Sequence, residues 1–193
     1  MSSSSSRSAA TRAGDQAWTK MSKMNAELFN LTYGAMVMQL IRDYEDVQAV
    51  NQQLETMGYS IGQKLVDEFL AKSGVGNCAN FREVAETLAK VGFKMFLGVV
   101  VEVTAWNAEG TAFSLQVYDN PLADFVELPP QYSGLVYSNI LCGVIRGALE
   151  MIKYQVECRF VKDGLKGDEV NEIRVELRQM VDESFGEEYN EGA

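Results

Sequence analysis

The stretch YSNILCGVIRGALEM, Tyr137–Met151, predicts the helix around which the rest of the fold is arranged. Its apolar residues recur at the three- and four-residue spacing that marks one buried face of a helix. Gly143 and Gly147 lie one turn apart on the same side, and each costs about 1 kcal/mol relative to alanine in a helix interior. Two glycines at this spacing indicate that another backbone packs very closely against this helix.

Two long helices are predicted upstream. The first runs from Asn25 to Tyr44 and is apolar around almost its whole circumference, so we expect it to be central. The second begins near Asp46, keeps helical spacing, and carries a further pair of small residues, Gly58 and Gly62. The glycine-rich run KSGVGN, residues 72–77, ends it.

A third helix is predicted to begin after Asn80, which is a good N-cap, with Glu83 placed to reach back as in a capping box. Four runs with alternating apolar residues predict strands at residues 99–106, 111–118, 155–162 and 171–178. The order is three helices, a hairpin, the Tyr137–Met151 helix and a second hairpin. This order predicts an α+β domain, with helices packed on one face of a four-stranded antiparallel sheet.

The length and composition predict one domain with two tails. The chain has 193 residues, of which 47% are hydrophobic, enough for a buried core. Residues 1–20 are rich in serine and read as a disordered tail, with a weaker resemblance to a transit peptide. The domain then spans residues 21–181, and residues 182–193 form an acidic tail.

Several classes of function are disfavoured by composition. The chain contains no histidine, so a Ser-His-Asp triad, a Cys-His dyad and a histidine-ligated zinc site are excluded. A net charge of −10 argues against a nucleic-acid partner. We find no run long enough to span a membrane and no signal peptide, and so expect a cytoplasmic protein without a catalytic or metal site of its own.

Two residues of the third helix region stand out as candidate site residues. Cys78 lies two residues before the Asn80 cap, where a helix N-terminus favours the thiolate and Arg82 is one turn away. Cys142 and Cys158 are expected to be buried hydrophobes. Gly92 interrupts the apolar face of the third helix, which indicates either close packing against a neighbour or an open channel.

The chain resembles the small core subunits of the transport protein particle, TRAPP, of the Bet-three type. The resemblance rests on the Tyr137–Met151 helix and on four further strings in the family's order: ELFNLTYGA (27–35), GNCANFRE (76–83), DNPLADFVELP (119–129) and RFVKDGLKGD (159–168). It implies the α+β fold derived above, with members that dimerise through their helices.

The resemblance also implies a lipid site. In this family the cysteine just before the third helix carries palmitate, which lies inside a hydrophobic channel of the same subunit. That cysteine corresponds to Cys78, and the channel is expected to be lined by Gly92, Leu88 and Phe81 of the following helix. A basic residue precedes the cysteine in some members, whereas Asn77 precedes it here. No cofactor other than the covalent palmitate is implied.

The function implied is that of a scaffold subunit in a vesicle tether acting between the endoplasmic reticulum and the Golgi. The expected partners are a second copy or a related small subunit, other TRAPP subunits, a Rab GTPase acting through the complex, and the surfaces of cis-Golgi and endoplasmic reticulum membranes. Two alternatives use the same residues: a thiol acyltransferase or thioesterase acting through Cys78, and a sensor that binds a small ligand without a covalent bond.

Overall fold

The computed structural model describes residues 8–181. Their helices are α1 (Ala9–Lys20), α2 (Ala26–Tyr44), α3 (Val47–Ser73), α4 (Phe81–Thr87), α5 (Phe93–Leu97) and α6 (Ile140–Met151); their strands are β1 (Glu102–Thr104), β2 (Ala112–Val117), β3 (Tyr154–Lys162) and β4 (Asn171–Met180). A π-helical turn at Leu88–Gly92 joins α4 to α5, and 3-10 turns occupy Pro130–Tyr132 and Gly164–Lys166.

The four strands form one antiparallel sheet in the order β1-β2-β4-β3, which confirms the predicted fold class. Phe113 and Leu115 of the inner strand β2 are fully buried and anchor the core between sheet and helices. The first strand is shorter than the sequence predicted. It ends at Thr104 because Ala105 adopts a positive φ of 49°, which breaks the extended conformation.

The helices α3 and α6 pack at the close distance that their glycines predicted. A Cβ on any of the four glycines would overlap a carbonyl oxygen of the opposite helix: on Gly58 that of Ile140, on Gly62 that of Val144, on Gly143 that of Glu55 and on Gly147 that of Tyr59. Only glycine allows this approach. The four glycines therefore fix the distance between the helix that lies on the sheet and the helix that covers it.

Asn51 of α3 holds the segment that leads into α6. Its side chain donates to the Gly134 carbonyl at 3.0 Å and accepts from the Val136 backbone N–H at 2.8 Å. The Asn139 amide in turn donates to the Asn51 carbonyl at 2.8 Å. A nearly buried amide with these partners satisfies backbone groups that would otherwise be stranded in the core.

The prediction that α2 is central is wrong. This helix buries only Asn30, Tyr33 and Val37, while Leu31 is 71% exposed and Leu28 59% exposed. The sheet is contacted by α6 and by Phe81 of α4, whereas α2 packs along α3. The apolar residues around α2 therefore include an exposed apolar face, and the helix is not surrounded by the core.

The prediction of a disordered tail over residues 1–20 is also wrong for its described part. Ala9–Lys20 forms α1, capped by Ser8, and Ala17 of this helix is fully buried. The helix packs against α3, α5 and the π-helical turn, and these contacts stabilise a segment too short to be helical alone. Residues 1–7 and the predicted acidic tail at 182–193 lie outside the described residues.

Candidate acylation site

Cys78 lies in the loop between α3 and α4, with its side chain half-buried. α3 ends at Ser73, and its C-cap Gly74 takes the left-handed conformation with φ of 68°. The Asn80 side chain accepts a hydrogen bond from the Glu83 backbone N–H at 3.0 Å, and the Glu83 carboxylate accepts one from the Ala79 N–H at 2.8 Å. The first bond is the predicted N-cap, whereas the Glu83 carboxylate reaches one residue beyond the cap, to Ala79. Together they fix the loop that carries the thiol.

The thiol opens onto a surface depression of about 350 Å³. The loop residues 75–77 and the exposed side of α4 form most of its wall, and Ala10 of α1 closes one side. The Cys78 thiol donates to the Thr87 hydroxyl at 3.5 Å. Arg82 also lies in this wall, and its guanidinium stacks over Trp106 at 4.5 Å from the ring centroid.

The other two cysteines are in environments that keep a thiol protonated. Cys142 is fully buried in α6, and burial raises the pKa of its thiol far above the usual range. Burial, followed by the neighbouring Cys142, raises the pKa of the Cys158 thiol well above its ordinary value. A thiol that stays protonated is a poor nucleophile, so these residues suit the packing role that the sequence predicted.

Leu88 and Gly92 mark the two ends of the π-helical turn. The backbone N–H of Phe93 donates to the Leu88 carbonyl, five residues earlier, as in a π-helix. Gly92 is buried, yet among the described residues a Cβ there would meet only the Leu88 Cδ1, at 3.7 Å. Close packing at the Cβ position therefore does not explain this glycine, because a Cβ there would make only an ordinary contact with a neighbouring side chain.

Phe81, on the first turn of α4, belongs to a buried aromatic cluster. Its ring centroid lies 5.4 Å from those of Phe113 and Tyr154 and 6.1 Å from that of Trp106. The cluster joins the start of α4 to the sheet. Because a helix rises about 1.5 Å per residue, Phe81 and Gly92 lie about 16 Å apart along this helical segment, with Leu88 between them.

Three features of this region were missed by sequence reasoning. The π-helical turn left no sequence signal that periodicity would detect. The contact between Thr87 and Cys78 depends on how the loop folds back. The helix α1 did have a signal, since Ser8 precedes an alanine-containing run and its side chain accepts from the Thr11 N–H at 3.2 Å.

Three comparisons bear on this arrangement. A family model described as transport protein particle (TRAPP) component matches residues 29–176. The trafficking protein particle complex subunit 3 of Dictyostelium discoideum is 57% identical over 171 residues, covering 88% of this chain and 92% of that protein. The BET3 subunit of Saccharomyces cerevisiae is 46% identical over 171 residues, covering 87% and 89%.

A solved structure is also similar. It is a trafficking protein particle complex subunit 3 from Naegleria fowleri, described as covalently bound to palmitic acid. It matches with a TM-score of 0.80 and 51% identity, covering 84% of this chain and all of that one.

Proposed function

The chain belongs to the transport protein particle (TRAPP) component family, and we propose that it is a structural, non-enzymatic subunit of a TRAPP-like complex that carries palmitate on Cys78. The observation that carries the proposal is the 51% identical Naegleria fowleri subunit, which is described as covalently bound to palmitic acid. The folds of the two chains are closely similar, so a lipid site of the same kind is expected here.

Cys78 is the thiol that fits this role. It lies half-buried at the edge of an open depression, whereas burial keeps the thiols of Cys142 and Cys158 protonated. Acylation would exchange one thioester for another: the Cys78 sulfur bonds to the acyl carbon of an acyl-CoA, and the CoA thiol leaves with the proton that Cys78 gives up. Such an exchange needs no oxidant and no histidine.

The acyl chain would lie along α4 and the π-helical turn. The absence of a close contact from residues 8–181 at the Cβ position of Gly92 supports this path, and Leu88 and Phe81 supply apolar contacts on the same helical segment. Each buried methylene contributes about 0.8 kcal/mol, so a sixteen-carbon chain contributes on the order of 10 kcal/mol before entropic costs. A chain buried in this way stabilises the fold and does not serve as a membrane anchor.

The exposed side of α2 supports a role in assembly. Leu28, Leu31, Ala35 and Met38 follow one another at three- and four-residue spacing, and all four are exposed. A stripe of this kind on a monomer marks a surface for another protein. We propose that it mediates dimerisation, with a second copy or with a related small subunit.

We further propose that the assembled complex, and not this chain alone, promotes nucleotide exchange on a Rab GTPase in transport between the endoplasmic reticulum and the Golgi. The family assignment supports this role. The proposed location is the cytoplasmic surface of cis-Golgi and endoplasmic reticulum membranes. Within residues 8–181, no helix has both the length and the apolar character needed to cross a bilayer.

Intact mass spectrometry of natively purified protein tests the acylation. We expect an added mass equal to one palmitoyl group that hydroxylamine removes, that is absent in Cys78→Ser, and that persists in Cys142→Ser and Cys158→Ser. An undiminished adduct in Cys78→Ser would refute the assignment of the site. Release of more than one acyl group per chain from palmitoyl-CoA would instead indicate a thiol acyltransferase or thioesterase.

A further inference from the structure

The helix α1 is held against the π-helical turn by a close backbone contact. A Cβ on Gly14 would overlap the carbonyl oxygen of Lys90, and it would lie 3.2 Å from the Lys90 carbonyl carbon and 3.3 Å from the Lys94 Cβ. Lys90 is inside the π-helical turn, so its carbonyl cannot move without disturbing that turn. The absence of a side chain at residue 14 is therefore a condition for docking.

Trp18 makes the second contact of α1. Its ring covers Gly98, where a Cβ would lie 2.9 Å from the Trp18 Cη2 atom. The Lys23 Nζ lies 3.4 Å from the Trp18 ring centroid, and the Lys94 Nζ lies 5.9 Å from it. The indole thus packs over the end of α5 and lies near two lysine ammonium groups, those of Lys23 and Lys94.

The contacts of α1 form a hydrophobic cluster separate from the main core. Ala17, Val91 and Met95 are its fully buried members, and Val75 packs against them. Val75 lies three residues before Cys78, so α1 also supports the loop that carries the thiol. Because the sheet residues belong to the other cluster, we expect that detachment of α1 would leave the sheet folded.

The position of α1 relates it directly to the candidate site. Ala10, on its first turn, forms one side of the depression onto which Cys78 opens. The helix lies before residue 29, where the match to the family model begins. Within this chain, α1 thus contributes one side of the candidate site.

We propose that α1 is a cover that completes the entrance to Cys78: Ala10 forms the outer wall, and docking through Gly14 and Trp18 limits access to the thiol. The biological role of this cover rests on the proposed function. The access of reagents to the Cys78 thiol can nevertheless be measured on the unacylated protein. With α1 docked, reagents and acyl donors reach Cys78 through the depression alone. With α1 detached, that side of the entrance is open.

The test compares Gly14→Leu with Gln16→Leu, which adds the same side chain on the exposed face of α1. Hydroxylamine-treated full-length protein is labelled with N-ethylmaleimide, and the rate at Cys78 is read by peptide mass spectrometry. Amide hydrogen exchange over residues 9–20 reports whether α1 is docked. If the detached form is a minor state of about 10% in the wild type, we expect labelling about tenfold faster in Gly14→Leu and unchanged in Gln16→Leu.

Two further variants keep the test decisive. Trp18→Ala removes the second contact and should also speed labelling, while Ala10→Trp should slow it by filling the depression. The proposal fails if Gly14→Leu loses its amide protection yet labels at the wild-type rate. It also fails if Gly14→Leu keeps full protection, since the contact with Lys90 would then not hold the helix.

A parallel measurement with palmitoyl-CoA separates this inference from the proposed function. If Cys78 is acylated, Gly14→Leu should acylate faster than Gln16→Leu. If no variant takes up the acyl group while the maleimide rates still differ as expected, the acylation proposal is wrong, but the proposal that α1 covers the entrance to Cys78 is supported.

Discussion

Gly147 of α6 lies directly against the backbone of Tyr59 in α3. A Cβ at residue 147 would overlap the Tyr59 carbonyl oxygen and lie 2.9 Å from its carbonyl carbon. The overlapping atoms are backbone, so no rotamer change can relieve the contact. The equivalent contacts of Gly58, Gly62 and Gly143 mean that the distance between the two helices depends on these four glycines.

Gly147→Ala should therefore destabilise the protein. Alanine gains about 1 kcal/mol in helix propensity, but separating two packed helices costs more, and we expect a net loss of about 1–3 kcal/mol in the free energy of unfolding. Urea denaturation measures it. Gly76→Ala is the control, because a Cβ there has no neighbour within 4 Å among the described residues. Equal midpoints for the two variants would contradict the packing argument.

Gly92→Leu should stay folded but lose acylation. The side chain would fill the space beside Leu88 that the acyl chain is proposed to use, whereas Gly92→Ala adds one methyl group with its nearest described contact at 3.7 Å. We expect the hydroxylamine-sensitive palmitoyl mass to disappear in Gly92→Leu and to remain in Gly92→Ala, with unchanged circular dichroism in both. Wild-type acylation of Gly92→Leu would place the chain elsewhere.

Leu31→Glu should abolish dimerisation without unfolding the subunit. Leu31 is 71% exposed at the centre of the apolar stripe of α2, so a carboxylate there costs nothing in the monomer but is buried unpaired in an interface. Sedimentation should show a monomer. Val161→Glu, at an exposed residue of β3, should leave the dimer intact. A dimer that survives Leu31→Glu would exclude α2 as its interface.

Glu172→Gln should lower stability at neutral pH and not in acid. A hydrogen bond from Ser114 and the Lys162 ammonium, 3.0 Å away, lower the pKa of Glu172 below its usual value. A group whose pKa is lower in the folded state stabilises the protein above its unfolded-state pKa, and that contribution is lost as the pH falls through its folded-state pKa.

The measurement is urea denaturation of wild type and Glu172→Gln at pH 7 and at acidic pH. We expect a difference of about 1 kcal/mol at pH 7, because Lys162 is half-exposed and part of the interaction is screened. The difference should vanish when Glu172 is protonated in both states. Glu109→Gln, in an exposed turn, provides the reference. A difference independent of pH would show that the carboxylate charge is not what stabilises this strand pair.

Much of the fold could be read from local patterns. Asn80 and Glu83 predicted the start of α4 because a cap depends only on residues within one turn. Gly143 and Gly147 predicted a close helix contact because two interior glycines have a cost that only packing offsets. Cys78 and Gly92 stand out locally, one just before the predicted third helix and the other on its apolar face, but their assignment to a lipid site depends on the family resemblance.

The sequence by itself determined the order of helices and strands, the antiparallel sheet and the residues at which packing would be closest. Only the tertiary structure decided that α2 presents Leu31 to the outside, that α1 docks with Gly14 on Lys90, and that a Cβ at Gly92 would meet no close neighbour in the described part of the chain. Periodicity fixes which residues share a face, because that depends on the geometry of one element. Whether such a face is covered by another element or stays exposed depends on segments that are distant in the chain. A local sequence pattern carries no information on where those segments lie.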